Sequence, residues 1–438
     1  MSAKQQHFGW FLARGFGPQG WGHPYLDWNY RWTEPELYQQ AVRDLEQAGF
    51  DLLIIEDAPS MGNAATIDLR IRQAFGGPKH DPLLLAPYLF AATRHLGIVP
   101  TVNPAAYLPY TAARQFASLQ HLSGHRLGLN VVTDTGSARH FGSAAPLGHD
   151  AAYDRAEEWL DGVRDLWRSW NPGALIADPA QGRYADGSKL TTVQHRGEYF
   201  EFDGPLNAIP FTDGEPVIVS PGGSGRGLGF AGANSDVQLA LAPLDPDSIR
   251  AYRAKIHAAA VERGRQPSDI TILFAIQPVL VGSADEADRL VAASANPDDA
   301  AVMYVAEKQS SDLETDLTAL DFDTPLDLSV FGDHVSQGSI ARLVGKHDPS
   351  TPLRVLLGAQ AKLGRLGQGG FVGTAGELAD LIEDLGESAD NDGVLLWGDL
   401  HPVTVHRMLD ELVPILRRRG ILRSGYSAGG LRANLSDF

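Results

Sequence analysis

Four places in the chain set polar residues at the end of a short apolar run, where a buried strand can deliver chemistry at its tip. Phe50-Asp-Leu-Leu-Ile-Ile55 runs into Glu56-Asp57, and Leu96-Gly-Ile-Val-Pro100 runs into Thr101-Val-Asn103. The run from Arg126 carries Asn130 and closes at Thr133-Asp-Thr135. The run from Pro216 ends in Ser220-Pro221 and opens Gly222-Gly-Ser-Gly-Arg-Gly227. This last arrangement is the most mechanistic. A strand, a glycine turn and then a helix presents free backbone N–H groups at the positive end of the helix dipole, with the Ser224 hydroxyl as a further donor; such a turn holds a phosphate. A turn that only needs glycine for positive φ has the same composition, so the spacing leaves both readings open. Thr101 and Asn130 are small, neutral and polar. They suit hydrogen bonding to an uncharged ligand, or satisfaction of backbone groups at the strand ends. Asp57 can pair with a cation, accept from a hydroxyl or N–H, or cap the helix that follows.

Other chemistries lack their residues. The 438-residue chain contains no cysteine, which excludes disulfides, thiolate metal ligands and a cysteine nucleophile. His121 and His125 are four apart, but Gly124 intervenes and no glutamate follows His121; His140, His149 and His195 have no ligand spacing, so no metal is expected. Gly15-Phe-Gly17 runs into proline rather than a dinucleotide-binding helix. A formal charge of −18 disfavours nucleic acid and anionic membranes as partners. Arg417-Arg418-Arg419 before Gly420 reads as cations closing a helix. The segment Met1 to His7 has no apolar core, and no stretch reaches the length of a membrane span, so a cytoplasmic protein is expected.

The elements that position these groups alternate between strands and helices. Thr33-Glu-Pro-Glu36 reads as a capping box opening a helix with Leu37, Ala41 and Leu45 on one stripe, ended by Gly49. Asp81-Pro82 opens the next helix, 109–122 is another, and 153–170 is a long one with Trp159, Val163 and Leu166 inward. Strands are predicted at 7–12, 50–55, 96–102, 126–133, 216–220, 236–241, 270–277 and 393–397. Eight strands with helical crossovers favour an α/β fold of the closed (β/α)₈ TIM-barrel type over an open sheet. Pro100 cannot donate to the ladder and puts the register of the third strand in question. Two stretches break the rhythm. Residues 171–214 contain a hairpin-like Gly197-Glu-Tyr-Phe-Glu-Phe-Asp-Gly204, and 297–370 holds weak helices ending in Gly364-Arg-Leu-Gly-Gln-Gly-Gly370. The expectation is one domain over 1–438 with both stretches inserted over the C-terminal face of the strands, as lids or binding loops; surface decoration is the alternative for the first.

A family resemblance runs through these same residues. It covers Gly49-Phe-Asp-Leu-Leu-Ile-Ile-Glu-Asp57, Asp81-Pro-Leu83, Leu96-Gly-Ile-Val-Pro-Thr101, Pro109-Tyr110, Ala113-Arg114 and Ser118-Leu-Gln-His-Leu-Ser-Gly124. It continues with Asn130-Val-Val-Thr133, Phe141-Gly142, Tyr153, Leu166-Trp167, Ser169-Trp170, His195-Arg-Gly-Glu-Tyr-Phe200, Gly204-Pro-Leu-Asn207, Pro216-Val-Ile218 and Glu411-Leu-Val-Pro-Ile-Leu-Arg-Arg-Arg-Gly420. In these the chain resembles the bacterial luciferase-like flavin-dependent monooxygenases, in the branch of the nitrilotriacetate, dibenzothiophene-sulfone and long-chain alkane monooxygenases.

The resemblance implies a TIM barrel that binds FMN, with the phosphate at Gly222, Gly223 and Ser224 and Tyr153 beside it. It places Asp57, Thr101 and Asn130 along the isoalloxazine, with Thr101 and Asn130 positioning O₂ near the flavin N5, and it points to Leu12, Trp21 and His23 as substrate contacts. It implies a two-component monooxygenase. A separate NAD(P)H:flavin reductase supplies reduced FMN (FMNH₂), and O₂ delivers one oxygen to a small organic substrate through a flavin peroxide, at N5 in some members and C4a in others. A homodimer or homotetramer is implied as well. The chain departs from the family pattern in four places. Pro221-Gly-Gly-Ser224 replaces Ala-Gly-x-Ser, Ala152-Tyr153 replaces Arg-Tyr, Asn103-Pro104 replaces Ser-Thr, and Gln19-Gly-Trp-Gly-His23 loosens His-x-Gly-Ala-Trp-Arg. Two other readings share the barrel: a deazaflavin-dependent hydride-transfer enzyme, against which the 195–200 segment argues, and a non-catalytic flavin-binding protein.

Overall fold

A computed structural model describes residues 3–13, 31–72, 74–133, 137–142, 146–211, 214–223, 225–331, 335, 337–367 and 369–438. Eight parallel strands close into a barrel: β1 His7–Leu12, β2 Leu52–Ile55, β3 Gly97–Val102, β4 Gly128–Val131, β5 Val217–Ser220, β6 Val237–Ala240, β7 Thr271–Leu280 and β8 Gly393–Gly398. Each pairs with its neighbours in chain order, and β8 returns to β1 with His7 opposite Gly393, so these eight leave no free edge. A short strand, Gly370–Gly373, extends the end of β7. The crossover helices are α1 Pro35–Ala48, α2 Pro82–Ala92, α3 Pro109–Leu122, α4 His149–Trp167, α5 Gly225–Asn234, α6 Pro246–Glu262, α7 Ala375–Ala389 and α8 at 402–419. No helix among the described residues is long and apolar enough to cross a membrane.

Alternation along the strands sorts the core into two layers. Leu52, Ile54, Val99, Val217, Val219, Val237, Leu273 and Leu395 form the interior cluster. Phe8, Trp10, Leu12, Leu53, Ile55 and Ile98 point the other way and pack with the helix stripes Leu37, Ala41 and Leu45 of α1 and Trp159, Val163 and Leu166 of α4. Pro100 sits inside β3 without shifting its register: Ile98 pairs with Leu127, and the ladder resumes at Thr101 opposite Asn130, the same offset. The missing N–H costs one ladder bond and nothing more.

Local sequence signals set several of the helix ends. Gly49 ends α1 in the left-handed region at φ 97°, Asp81 Oδ1 accepts the Leu84 N–H at 3.0 Å to open α2, and Gly420 closes the triple arginine at φ 76°. The capping box at Thr33 is not formed. Proline at 35 fixes φ for the first helical residue, so Glu34 becomes the N-cap, and it makes no side-chain cap bond. Helix α4 stops at Trp167 rather than 170, because Trp170 bridges to Leu190 across the next segment.

That segment, 171–214, forms two small antiparallel ribbons, Leu175–Asp178 with Arg183–Ala185 and Gln194–Arg196 with Glu201–Asp203. The second is fastened to α4 by one carboxylate: Glu158 accepts the N–H groups of Glu198, Tyr199 and Phe200 at 2.9–3.1 Å and lies 3.1 Å from His195 Nε2. The stretch 297–361 is more regular than its weak patterning suggests. Helices Asp299–Leu313, Gln337–Val344 and Leu353–Ala361 enclose a cluster of their own around Val302, Ala306, Leu343 and Leu357. It rests on the connection between β2 and α2, through Arg72–Glu307 and a bond from Asn63 Nδ2 to the Glu314 carbonyl.

The floor of the barrel is closed by the tail. Leu431 enters the interior cluster where Gly97 leaves room: a Cβ there would lie 2.5 Å from the leucine methyl. Arg423, 2% exposed, lies 2.8 Å from Asp51 (1% exposed) and 2.9 Å from Asp437, beneath the rings of Tyr426 and Phe438. Asp51 also accepts the Phe8 N–H at 2.9 Å. Charges this deep hold together only as a set. Arg423→Met leaves Asp51 buried without its cation and is expected to cost about 3–5 kcal/mol in urea unfolding. Asp51→Leu combined with Arg423→Met should recover much of that; additive losses in the double variant would contradict the pairing.

Candidate active site

The polar residues singled out at the strand ends converge on one rim. Thr101 and Asn130 are register partners on β3 and β4, so alternation sends both side chains into the barrel together. Asn130 Nδ2 donates to Thr101 Oγ1 at 2.8 Å, and both residues are buried. This leaves Thr101 its own hydroxyl hydrogen to donate. It also leaves Asn130 Oδ1 buried with no partner among the described residues, an acceptor open to a further donor.

A cavity of about 330 Å³ opens beside Thr101, lined among others by Asp57, Lys79, Asp81, Tyr107 and Phe141. Its charges are largely compensated internally. Lys79 Nζ is buried 2.8 Å from Glu56 Oε2 and 3.5 Å from Asp57 Oδ1. Burial pushes the Asp57 carboxyl up to about 6, against the pull of Lys79 and helped by Glu56 and Asp81. Burial likewise raises the Tyr107 phenol, with Asp81 and Asp57 adding to it. Asp81 has a second task, capping α2. The cavity thus offers the Thr101 hydroxyl, a phenol and a carboxyl raised to about 6.

Around the rim, β5 ends at Ser220 and the chain turns through Gly222 and Gly223 into α5. A Cβ at Gly222 would stand 2.8–2.9 Å from the Gly227 backbone, so only glycine permits the turn to fold this closely onto the helix start. At Gly223 and Gly225 a Cβ would meet nothing within 4 Å among the described residues, so the backbone there is uncovered by them. Tyr153 of α4 packs its ring against Phe230 of α5, at 5.9 Å between centroids. Arg226 ties the two helices by bonding Asp154 and Glu157, and its Nη1 is buried without a partner among the described residues.

The structure therefore brings Asp57, Thr101, Asn130, Tyr153, Gly222 and Gly223 to the C-terminal ends of β2 to β5 and the helices that follow them. Ser224, Trp21 and His23 lie outside the described residues. Leu12 is fully buried in the helix-facing layer. The inward position at the end of β1 belongs to Phe11, whose ring meets Trp397 of β8 at 5.4 Å. Sequence reasoning missed Phe11, Lys79 and Tyr107. A signal existed for Lys79 alone: it stands between the Gly76-Gly77-Pro78 turn and the Asp81-Pro82 cap, which together fix the approach of the loop to the end of β2.

A closed parallel barrel with its polar groups at the C-terminal ends of the strands defines an enzyme of the TIM-barrel class. The chain belongs to the luciferase-like monooxygenase family, which matches residues 7–392, and stands in its flavin-dependent branch. It is 31% identical to a dibenzothiophene-sulfone monooxygenase of Rhodococcus erythropolis (strain XP), over 99% of this chain and 96% of that one. It is 30% identical to nitrilotriacetate monooxygenase component A of Aminobacter aminovorans, over 99% and 96%. Among solved structures, long-chain alkane monooxygenase superposes with a TM-score of 0.83 at 26% identity, covering 99% and 96% of the two chains. A riboflavin lyase with modified FMN and riboflavin does so at 0.82 and 29%, covering 99% and 96%.

The Asp57 shift has a signed consequence for stability. The folded chain holds this proton more tightly than the unfolded chain does, so stability falls as pH rises from 3.8 through about 6 and then levels. Asp57→Asn, fixed in the neutral form, is expected to be more stable than the parent at pH 7.5, by up to roughly 3 kcal/mol, and to match it near pH 4. Urea titrations at the two pH values check this; a gain independent of pH would contradict it.

Proposed function

We propose that this chain is the oxygenase half of a two-component system. It takes reduced FMN from a separate NAD(P)H:flavin reductase and uses O₂ to place one oxygen atom on a small organic substrate. The observation that carries this reading is the buried Thr101–Asn130 pair, with a spare hydroxyl hydrogen and an unpaired amide oxygen, on the same rim as an uncovered glycine turn. A dry hydrogen-bonding edge together with a backbone anion cradle suits a flat, polar-edged heterocycle carrying a terminal phosphate. Gly222, Gly223 and Ser224 would hold the phosphate beside Tyr153, and Asp57, Thr101 and Asn130 would line the isoalloxazine. Bound reduced FMN supplies the two electrons that activate O₂, one oxygen atom going to substrate and the other leaving as water.

The chain's own work is orientation and exclusion of water. Asn130 donates to Thr101, which commits the threonine hydroxyl hydrogen to an oxygen on the open side. A neutral pair does this without a charge that would draw water in. Met61, Ala106, Val132 and Phe141 give the cavity apolar walls. The stretch 297–370 is assigned as a cover over the mouth, Trp21 and His23 as substrate contacts, and the cytoplasm as the compartment; 171–214 is not assigned as a cover, because it lies along α4 and the C-terminal ends of α3 and α4. A reductase partner is supported by the relative named as component A of its system, and FMN by the neighbouring structure that contains a modified FMN. Relatives include monooxygenases of a sulfone, a chelate and an alkane, so the substrate is a small organic molecule of open class.

The test supplies purified protein with FMN, NADH, a generic flavin reductase and O₂, using an aryl sulfone, a thioether and a long-chain alkane as probe substrates. Thr101→Ala and Asn130→Ala are each expected to lower oxygenated product by about 10²-fold, with the FMN dissociation constant changed only a few-fold. Undiminished product from both variants, or anaerobic turnover with a reduced deazaflavin instead, refutes the reading.

A further inference from the structure

Beneath the glycine turn lies a buried polar cluster that takes no part in the chemistry described so far. Gln238, central in β6 and fully buried, faces outward from the barrel, between sheet and helices. Its Nε2 donates to the Gly222 carbonyl at 2.9 Å and to the Leu239 carbonyl at 3.1 Å, and stands 3.1 Å from the Tyr252 hydroxyl of α6. Its Oε1 accepts from Ser220 Oγ at 3.1 Å, and that hydroxyl is 2.7 Å from Ser235 Oγ. The β5–β6 register sets Gln238 opposite Ser220, so the last residue of β5 and the glutamine share one network. Two carbonyls on one side and a hydroxyl on the other fix which end of the amide is nitrogen.

We propose that Gln238 is the positioning residue for the flavin phosphate: by holding the Gly222 carbonyl inward, it turns the Gly223 N–H outward to the rim, where the phosphate binds. The inference rests on the flavin reading above and identifies what aims its anion cradle. The Gly222 carbonyl and the Gly223 N–H belong to one planar trans unit and point in opposite directions. A carbonyl bonded down onto a buried donor therefore leaves the N–H facing away from it. Two consecutive glycines have little steric preference of their own between this peptide orientation and its flip, which would show the anion an acceptor instead. Packing at Gly222 fixes where the turn runs, and Gln238 fixes which pole it presents. The neighbouring Arg226 is held by Asp154 and Glu157 and keeps Nη1 without a partner among the described residues, so any cationic help adds to the amides alike in the parent and in the Gln238 variants.

The measurement compares FMN with riboflavin, which lacks only the phosphate, by fluorescence titration of the purified full chain. The parent is expected to prefer FMN. Gln238→Glu keeps the shape but turns a carboxylate toward the carbonyls, and Gln238→Met removes the donor; each is expected to lower the FMN-to-riboflavin affinity ratio about tenfold, the value of one hydrogen bond, with riboflavin affinity within about twofold. Tyr252→Phe keeps both carbonyl contacts and should hold the ratio within about twofold. Because both flavins are titrated on the same preparation, a misfolded fraction scales them alike and cancels in the ratio. Equal weakening of the two flavins, or no change, in the Gln238 variants overturns the proposal. A parent that binds riboflavin as tightly as FMN also overturns it while leaving flavin binding intact; a parent that binds neither overturns the flavin reading and this inference with it.

Discussion

Strand alternation in a closed barrel is the constraint on which the rest of the molecule depends. With a period of two and no free edge, each strand residue faces either the interior or the helix layer, and a shift of one residue would exchange the two. That rule brings Thr101 and Asn130 together from different strands, gives the inward position of β1 to Phe11, and turns Gln238 away from the interior to lie under the glycine turn. It also explains why Pro100 is tolerated: losing one ladder bond is a small cost beside moving a whole strand's side chains to the wrong layer.

The electrostatics of the rim follow a second rule, that charge near a water-poor site is compensated by the chain itself. Lys79 meets Glu56 and Asp57, Arg226 meets Asp154 and Glu157, and the groups left with spare hydrogen-bonding capacity include the neutral Thr101 and Asn130. The net charge of −18 is therefore no guide to the mouth, where the local balance is set pair by pair. On the floor the same rule appears in stricter form around Arg423, which lies between two acids and two aromatic rings.

Much of this was legible in the sequence, and the reasons for the rest are physical. All eight strands were visible because strands covered on both faces read as unbroken apolar runs, and the rim residues were visible as the polar groups that end those runs. The same unbroken character hid the facing of β1: His7 to Leu12 is nearly all apolar, so its pattern cannot separate Phe11 from Leu12. The capping box at Thr33 failed because proline at 35 outranked the motif in setting the first helical residue. Lys79 and Tyr107 come to the cavity from loops whose course is decided by tertiary packing. Gln238 reads in sequence as a flaw in an apolar strand; its meaning depends on a carbonyl sixteen residues earlier. The three helices of 299–361 showed only as weak ones because they pack chiefly on one another, around a core too small to give strong periodicity.

Helix α4 joins three of the features described here. One side carries Tyr153, Asp154 and Glu157 against α5, another carries Trp159 and Val163 against the barrel, and a third carries Glu158, which gathers three amides and the His195 ring of the 194–203 ribbon. Gly162 adds a close seat for the Phe202 ring. A ribbon fastened in this way is a fixture of the helix rather than a free flap. Any movement of the ribbon would have to drag α4 along, and through Arg226 the start of α5, so ribbon and both helices would shift mechanically as one body.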